Sequence, residues 1–405
     1  MARPLGLVGL AVIAAAAVLL GVTLLRTPAE APRLRATLSV ADALRSRDDS
    51  GFARAREPRP FAFPRDHGPH PGFRTEWWYY TGHLRAPGGR HFGYQLTFFR
   101  VALAPAPVVR ASAWGASEIY MAHFALTDVA GGRFHAFERL SRAALGLAGA
   151  ASLADSGLVS RRARDTLAGA ARLENRYRVW LEDWTADAPS PEASPMRLRA
   201  AADGVAIELA LRSVKPVALQ GDRGLSQKGP EPGNASYYYS LTRMDTTGTV
   251  AIEGETWRVA GSSWMDREWS TSALGAGQVG WDWFALQLDD GRDLMFYRLR
   301  RRDGSTDRWS RGTLVARDGS TRPLGPDAVR VEALDTWRSP KTGVVYPSRW
   351  RLAVPAERLA VEVEPWLRDQ ELDLSVRYWE GAVRVAGTAA GEPVTGNGYV
   401  ELTGY

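Results

Sequence analysis

The chain has 405 residues, of which 45% are hydrophobic and 24% charged, so it is long enough for two ordinary globular domains. It contains no cysteine, which excludes disulfide bonds, thiolate catalysis and cysteine-ligated zinc. The formal net charge of +6 comes from arginines scattered among acids rather than from a basic run, so we expect no nucleic-acid partner. The 15 tryptophans, 13 tyrosines and 12 phenylalanines indicate aromatic strands around an apolar interior.

The N-terminus carries an uncharged run over residues 5–25. This run exceeds the roughly 7–15 residues of a signal-peptide core and reaches the about 20 residues of a membrane span. We therefore predict a signal anchor at residues 1–30, which tethers a periplasmic body to the inner membrane. The alternative is a cleaved signal, with Ala29–Ala31 as the site, and a secreted protein. The Pro- and Arg-rich stretch 31–65 is predicted to be a tether.

Two hairpins with the same pattern start the two halves of the folded region. In the first, Glu76–Leu84 and Phe92–Arg100 read as strands joined by a glycine-rich turn. In the second, Trp281–Leu288 and Asp293–Leu299 repeat this arrangement. Each hairpin begins with closely spaced tryptophans and ends with an aromatic residue followed by arginine. The repetition predicts two similar units.

The remaining chain shows many short, evenly spaced strands and no alternation of strands with helices, which favours barrels or sandwiches. About 170 residues per unit suits a closed antiparallel barrel that can hold one small ligand. We predict an all-β protein with two tandem antiparallel β-barrels, at residues 66–245 and 246–405, that follow the membrane anchor.

The segment from Gly261 to Trp269 places two acids among tryptophans. If it is a strand, Trp264, Asp266 and Glu268 share one face and Trp269 lies on the other. An acid that faces an aromatic, poorly hydrated cavity has a raised pKa and can act as a general acid near neutral pH. The alternative is a surface acidic pair between two tryptophans that only pack.

Other candidate residues lie in the first unit. Glu76, Trp78 and Tyr80 share one strand face, so Glu76 is either a polar group of a cavity or a buried partner of Arg100. His123 alternates with apolar neighbours and is either a ligand contact or a hydrogen-bonded core histidine. The histidines do not have metalloprotease spacing, so we predict no metal, and no other cofactor.

Several stretches together resemble the AttH-like family, which includes carotenoid 1,2-hydratases. They are His67–Pro71, Glu76–Gly82, Ala122–Asp128, Trp264–Trp269 and Gly398–Tyr405. The resemblance covers roughly residues 50–405. It implies two tandem lipocalin-like β-barrels, an apolar ligand and, in the hydratase branch, addition of water to a terminal carbon–carbon double bond. The chain departs from that branch beside Asp266, where Met265 and Arg267 stand in place of the expected histidines.

For a hydratase, we predict that Asp266 is the acid that protonates the double bond. Trp264, and less favourably Trp269, would offer a π face to the resulting carbocation. Glu268 would orient the water as a base, or would form a structural ion pair with an arginine. The residues predicted to contact the lipid or isoprenoid ligand are Glu76, Trp78, Tyr80, Arg100, His123, Trp269, Trp281, Tyr297 and Glu401.

Two further functions remain open at this point. One is a non-catalytic envelope carrier or chaperone, which passes an apolar molecule between the membrane and a partner such as a transporter. The predicted anchor and tether favour it, whereas the acidic pair among aromatic residues favours the hydratase. The other is a structural module of the envelope whose barrels are filled by their own side chains. We also expect that one pocket between the two units could bring Glu76 and Asp266 together.

Overall fold

The computed structural model describes residues 49–106, 112–151, 177–188, 194–272, 274–275 and 277–405. Within these residues the protein is all-β, with 23 strands and two 3₁₀-helices of one turn, Arg65–His67 and Pro355–Glu357. No helix among the described residues has the length and apolarity that a membrane crossing needs. The predicted anchor at residues 1–30 lies outside the described residues and stays a prediction.

The described strands form two sheets. The first contains β1 (Thr75–Arg85), β2 (His91–Ala102), β3 (Glu118–Asp128), β4 (Arg133–Arg142), β5 (Ala148–Ala151), β6 (Tyr177–Leu181), β7 (Trp184–Ala188), β8 (Met196–Ala202), β9 (Val205–Ser213), β10 (Ala218–Leu219), β11 (Leu225–Gln227), β12 (Ala235–Ile252) and β13 (Glu255–Ser270). The second contains β14 (Gln278–Leu288), β15 (Asp293–Arg301), β16 (Arg311–Val315), β17 (Thr321–Leu324), β18 (Arg330–Arg338), β19 (Val345–Val354), β20 (Leu359–Pro365), β21 (Glu371–Asp373), β22 (Arg377–Ala389) and β23 (Glu392–Leu402).

Both sheets are antiparallel and curl into barrels. The first follows the order β4-β3-β2-β1-β13-β12-β9-β8-β7-β6-β5, with β10 and β11 paired to β12. Strands β5 and β6 come back into contact with β3 and β4, which nearly closes this barrel. The second follows the order β17-β16-β15-β14-β23-β22-β20-β19-β18, with β21 paired to β22. The predicted all-β, two-barrel architecture is confirmed.

The boundary between the barrels lies later than predicted. A division after residue 245 falls inside β12, a continuous strand from Ala235 to Ile252. The next strand, β13, lies between β1 and β12 and therefore belongs to the first barrel. The first barrel ends at Ser270 and the second begins at Gln278.

Strand alternation gives each central strand one face toward its own barrel and one toward the other barrel. In β1, Trp78 and Tyr80 pack into the core of the first barrel. Their neighbour Tyr79 instead packs against Trp283 of the second barrel, with ring centroids 5.0 Å apart. In β14, Phe284 belongs to the core of the second barrel. Each barrel thus has its own core of buried side chains, and a separate aromatic layer lies between them.

The two barrels approach closely at Gly93 in β2. A Cβ atom at this position would lie 2.5 Å from Cβ of Ala382 and 2.8 Å from the hydroxyl oxygen of Tyr399. Real Cβ atoms do not come so close to other heavy atoms, so a side chain here would push the barrels apart. Glycine is therefore required by the contact between the barrels.

A buried ionic cluster fixes the start of β1 to its neighbours. The Glu76 carboxylate, which is fully buried, accepts hydrogen bonds from Arg100 of β2 and Arg267 of β13. The backbone N–H of His70 also donates to Glu76, at 3.0 Å. Burial opposes ionisation of Glu76, but the two guanidinium groups outweigh it and hold its pKa well below the ordinary value. The predicted pair of Glu76 and Arg100 is present, with Arg267 as a second partner.

Part of the predicted tether packs on the first barrel. Residues 49–65 are described and contain no strand. The Phe61 ring lies 5.7 Å from that of Trp269, and the Arg59 guanidinium lies 5.3 Å from the same ring. These contacts bury apolar surface of β13, so this stretch acts as a cover for the barrel rather than as a free linker.

Replacing Glu76 with Gln would leave two buried guanidinium groups without their counter-charge. We expect E76Q to lower the free energy of unfolding by about 3–5 kcal/mol. The matched control is E362Q, which breaks a solvent-exposed pair with Arg349 and should change stability little. Urea denaturation of the three proteins measures this, and an E76Q midpoint equal to that of the wild type would contradict the expectation.

Candidate active site between the two barrels

A cavity of about 90 Å³ lies between the two barrels. Small-molecule sites often lie where two units meet. Strands and loops of both barrels contribute to its wall. The lining residues are Trp77, Tyr79, Gln95, Thr97, Phe99, Lys228, Tyr238, Asp266, Glu268, Ser270, Ser272, Leu274, Trp281, Trp283, Tyr297, Leu299, Tyr378, Glu380 and Glu401.

Asp266 lies in the first-barrel wall of the cavity and is held by three donors. Ser240 donates its hydroxyl to Oδ1 at 2.5 Å, and Tyr238 donates to Oδ2 at 2.6 Å. The indole Nε1 of Trp264, two residues earlier in β13, donates to Oδ1 at 2.7 Å. Trp283 of the second barrel donates in turn to the Tyr238 hydroxyl, at 3.1 Å. The carboxyl group therefore has one fixed orientation.

Burial raises the pKa of Asp266 from 3.8 to about 7. Removal from water disfavours the charged carboxylate, and the nearby charge of Glu268 adds to this effect. The hydrogen bonds from Ser240, Tyr238 and Trp264 act in the opposite direction, because they stabilise the ionised form. The result is a carboxyl group that can both hold and release a proton near neutral pH.

Glu268 also lines the cavity, two residues after Asp266 on the same strand face. It forms an ion pair with Lys228, whose Nζ lies 3.3 Å from Oε1. The same Nζ lies 3.9 Å from the centre of the Tyr297 ring. Burial lowers the pKa of Lys228, but the charge of Glu268 outweighs it, and the net shift is upward. Lys228 is therefore a charged residue in the wall.

A second pair of carboxyl groups lies in the wall formed by the second barrel. Glu380 and Glu401 are direct cross-strand neighbours in β22 and β23. Tyr79 of the first barrel donates its hydroxyl to Oε1 of Glu380, at 2.6 Å. Burial and the charge of Glu401 raise the pKa of Glu380 well above the ordinary value. Burial also raises the pKa of Glu401 to about 8, and Asp266 adds to the shift.

Aromatic rings form most of the remaining surface of the cavity. Trp77 and Phe99 come from the first barrel, and Trp281, Trp283 and Tyr297 from the second. Such rings bury apolar ligand surface, and their negative faces stabilise a positive charge in a site that excludes water. The cavity thus combines an apolar interior, carboxyl groups with raised pKa values and π faces.

Five of the predicted site residues meet in this cavity. Asp266 and Glu268 come from the first barrel, and Trp281, Tyr297 and Glu401 come from the second. The predicted common face of Asp266 and Glu268 is confirmed. The expectation that one pocket would include both Asp266 and Glu76 is wrong for Glu76.

Strand alternation turns four other predicted ligand contacts away from the cavity. Trp78 and Tyr80 lie in the core of the first barrel and do not line the cavity. Glu76 and Arg100 belong to the buried ionic cluster on the same face of the sheet. Their neighbours in β1, Trp77 and Tyr79, line the cavity instead.

Three more predicted residues lie close to the cavity without lining it. Trp264 supports Asp266 through its indole N–H, and does not present its ring to the cavity space. Trp269 faces the opposite side of β13, as predicted, and stacks on the His70 ring with centroids 3.7 Å apart. His123 is buried and bonded through Nδ1 to the Tyr378 hydroxyl, at 2.7 Å.

The sequence reading missed Tyr238, Lys228 and Glu380. For Glu380 a signal is present, because Tyr378-Trp379-Glu380 places an acid two residues after an aromatic residue, as Trp264 and Asp266 do. For Tyr238 and Lys228 no local pattern indicates the site, since their positions depend on which strands pair.

A family model described as AttH-like matches residues 54–405. The structure of a protein from Nitrosomonas europaea, assigned to AttH, superposes with a TM-score of 0.72 at 34% identity, covering 87% of this chain and all of the other. The chain therefore belongs to the AttH-like family, as the sequence motifs predicted.

Kievitone hydratases provide two further comparisons. The enzyme of Fusarium solani subsp. phaseoli is 25% identical over 216 residues, which is 52% of this chain and 60% of that protein. The match thus spans less than two thirds of the relative's length. The crystal structure of kievitone hydratase from Nectria haematococca has a TM-score of 0.62 at 15% identity, covering 87% of this chain and 97% of the other. That likeness shows a shared fold.

The raised pKa of Asp266 has a consequence for stability. The folded protein keeps this proton up to about pH 7, whereas the unfolded chain loses it near pH 4. Asp266 therefore contributes stability that is fully present below about pH 4 and is lost as pH rises through about 7. Relative to D266N, the wild type should lose on the order of a few kcal/mol over this range.

The measurement is the free energy of unfolding of both proteins at a series of pH values. The control is D245N, an exposed change in the neighbouring strand β12 that should follow the wild type throughout. A difference between wild type and D266N that does not vary between pH 4 and 8 would show that Asp266 has an ordinary pKa.

Proposed function

We propose that this protein is a hydratase that adds water to a carbon–carbon double bond of an apolar, isoprenoid-like ligand. The observation that supports this most directly is Asp266, a buried carboxyl with a pKa of about 7 in the wall of an aromatic cavity. An isolated double bond needs a strong proton donor, a surrounding that stabilises a cation, and one water. The cavity offers candidates for each requirement.

In the proposed reaction, Asp266 gives its proton to one carbon of the double bond, and the other carbon becomes a tertiary cation. The Asp266 carboxylate and the faces of Trp77 and Trp281 stabilise this cation. Water then forms a carbon–oxygen bond to the cation and loses a proton. We assign the acceptance of that proton to Glu268, the carboxylate paired with Lys228. Proton exchange with solvent returns both acids to their starting states.

The similarity to kievitone hydratase favours addition of water over a carrier role. The ligand of this chain and its place of action are part of the same proposal. We propose a lipid or isoprenoid ligand and a body on the outer side of the inner membrane, held by residues 1–30 or secreted after cleavage. Exchange of ligand with a membrane transporter belongs to the alternative carrier function.

The test incubates the protein body, from about residue 31, with a lipid extract of its own host and, separately, with kievitone, in H₂¹⁸O. Mass spectrometry of the bound and released molecules then looks for the gain of one labelled water. A hydrated product establishes the hydratase. A ligand that is retained without any change in mass supports the carrier, and overturns the hydratase.

For a substrate found in this way, we expect D266N to lower the hydration rate by about 10²–10⁴-fold, the usual contribution of a general acid. D245N is the matched control and should retain the wild-type rate. If D266N unfolds, Y238F replaces it, since that change removes only one of the three donors to the carboxylate. Full activity in D266N would exclude Asp266 as the acid.

The pH dependence of the same reaction provides an independent check. Because Asp266 must be protonated to act, the rate should fall about tenfold per pH unit above about pH 7. The Y238F substitution should shift this fall in rate to higher pH, because the ionised Asp266 carboxylate loses a hydrogen bond and its pKa rises. A rate that rises with pH through this range would require the opposite role for Asp266.

A further inference from the structure

Two buried acceptor atoms in the cavity wall have no donor among the described residues. They are Oε1 of Gln95, in β2, and Oε2 of Glu380, in β22. Both side chains are only 1% exposed, and both line the cavity. A buried polar atom without a hydrogen-bond partner is destabilising, so such atoms are uncommon unless a ligand or water supplies the partner.

The orientation of the Gln95 amide is fixed by its other end. Its Nε2 donates to Thr97 Oγ1 at 2.9 Å and to the Tyr378 hydroxyl at 3.1 Å. Both amide hydrogens therefore have partners, and Oε1 is the atom of this amide that has none. The Tyr378 hydroxyl also forms a hydrogen bond with Nδ1 of His123, at 2.7 Å, which fixes the position of this hydroxyl next to Gln95.

Glu380 is fixed in a similar way. Its Oε1 already accepts the Tyr79 hydroxyl at 2.6 Å, so Oε2 is the atom without a donor. Glu380 lies two residues after Tyr378 on the same face of β22, and Tyr378 is the partner of Gln95. The two acceptors therefore belong to one region, which we call the hydroxyl pole and define as Gln95 and Glu380.

The chemistry of the hydroxyl pole selects an O–H group. A hydroxyl can donate its one hydrogen to Gln95 Oε1 and accept a hydrogen bond from Glu380, whose raised pKa keeps it protonated. An ether, a halide or a hydrocarbon cannot donate to Gln95. A charged ammonium group fits poorly, because it cannot accept from a protonated carboxyl and would have to be buried among aromatic rings.

We propose that Gln95 and Glu380 bind the oxygen of the water that adds to the substrate, and afterwards the hydroxyl of the alcohol product. This inference rests on the proposed hydratase, because a hydration converts a bound water into a product hydroxyl at the same place. The water donates to Gln95 Oε1 and is thereby held with a lone pair free for the cation. The carbon–oxygen bond forms at this place, and the proton that the water loses passes to the Glu268 carboxylate.

The experiment measures binding, and does not require turnover. The probes are 2-methyl-4-phenylbutan-2-ol, a tertiary alcohol of the product type, and the corresponding fluoride, which has nearly the same shape but no donor. Isothermal titration calorimetry gives the affinity of each probe for the protein body. We expect the wild type to bind the alcohol at least about tenfold more tightly than the fluoride.

Two variants locate this preference. Q95M and E380M should each reduce the ratio of alcohol to fluoride affinity by about tenfold, with much less change in fluoride affinity. The matched controls are Q220M and E371M, which make the same changes in buried residues that do not line the cavity. Both controls should keep the wild-type ratio. Two separate variants are used so that the failure of one to fold leaves the other as a test.

The outcomes separate this inference from the proposed function. Equal affinities for alcohol and fluoride in the wild type, or a preference that persists in both variants, would overturn the hydroxyl pole. A preference that Q95M and E380M remove supports the pole. If that preference is found but no labelled water is ever incorporated, the pole stands as a ligand-hydroxyl site and the hydratase fails.

Discussion

The alternation of side chains along β13 is the constraint on which the rest of the structure depends. One face of this strand carries Arg267, which pairs with Glu76 inside the first barrel. The other face carries Asp266 and Glu268, which line the cavity. Because β13 lies between β1 and β12, neither face can be moved without disturbing two strand pairings. The ionic cluster that stabilises the barrel and the acid of the candidate site are thus held by the same backbone.

The cavity belongs to the pair of barrels rather than to either one. Each barrel has its own core of buried side chains, and the aromatic layer between the barrels provides the apolar lining of the cavity. Asp266 and Glu268 come from one barrel, and Glu380 and Glu401 from the other. Tyr79 and Tyr238 extend from the first barrel to groups of the second through hydrogen bonds. Desolvation of the acids therefore depends on the two barrels staying together.

Much of this arrangement could be predicted from the sequence, and the failures have physical causes. Alternation of Trp264, Asp266 and Glu268 correctly put the acids on one face. In β1, however, Trp77, Trp78, Tyr79 and Tyr80 are all aromatic, so no polar face indicates which pair enters the barrel. The boundary between the barrels was missed because β12 continues without a break beyond residue 245. Lys228 and Tyr238 reach the site through strand pairings that no local pattern reveals.

The close approach at Gly93 sets the distance between the two barrels at this point. At this point there is room for only the hydrogen atoms of Gly93 between the β2 backbone and the side chains of Ala382 and Tyr399. Any larger side chain would move the two barrels apart. Asp266 and Glu380 lie on opposite sides of this contact, in the first and the second barrel. A side chain at position 93 would therefore change the span of the cavity while every residue that lines it stays the same.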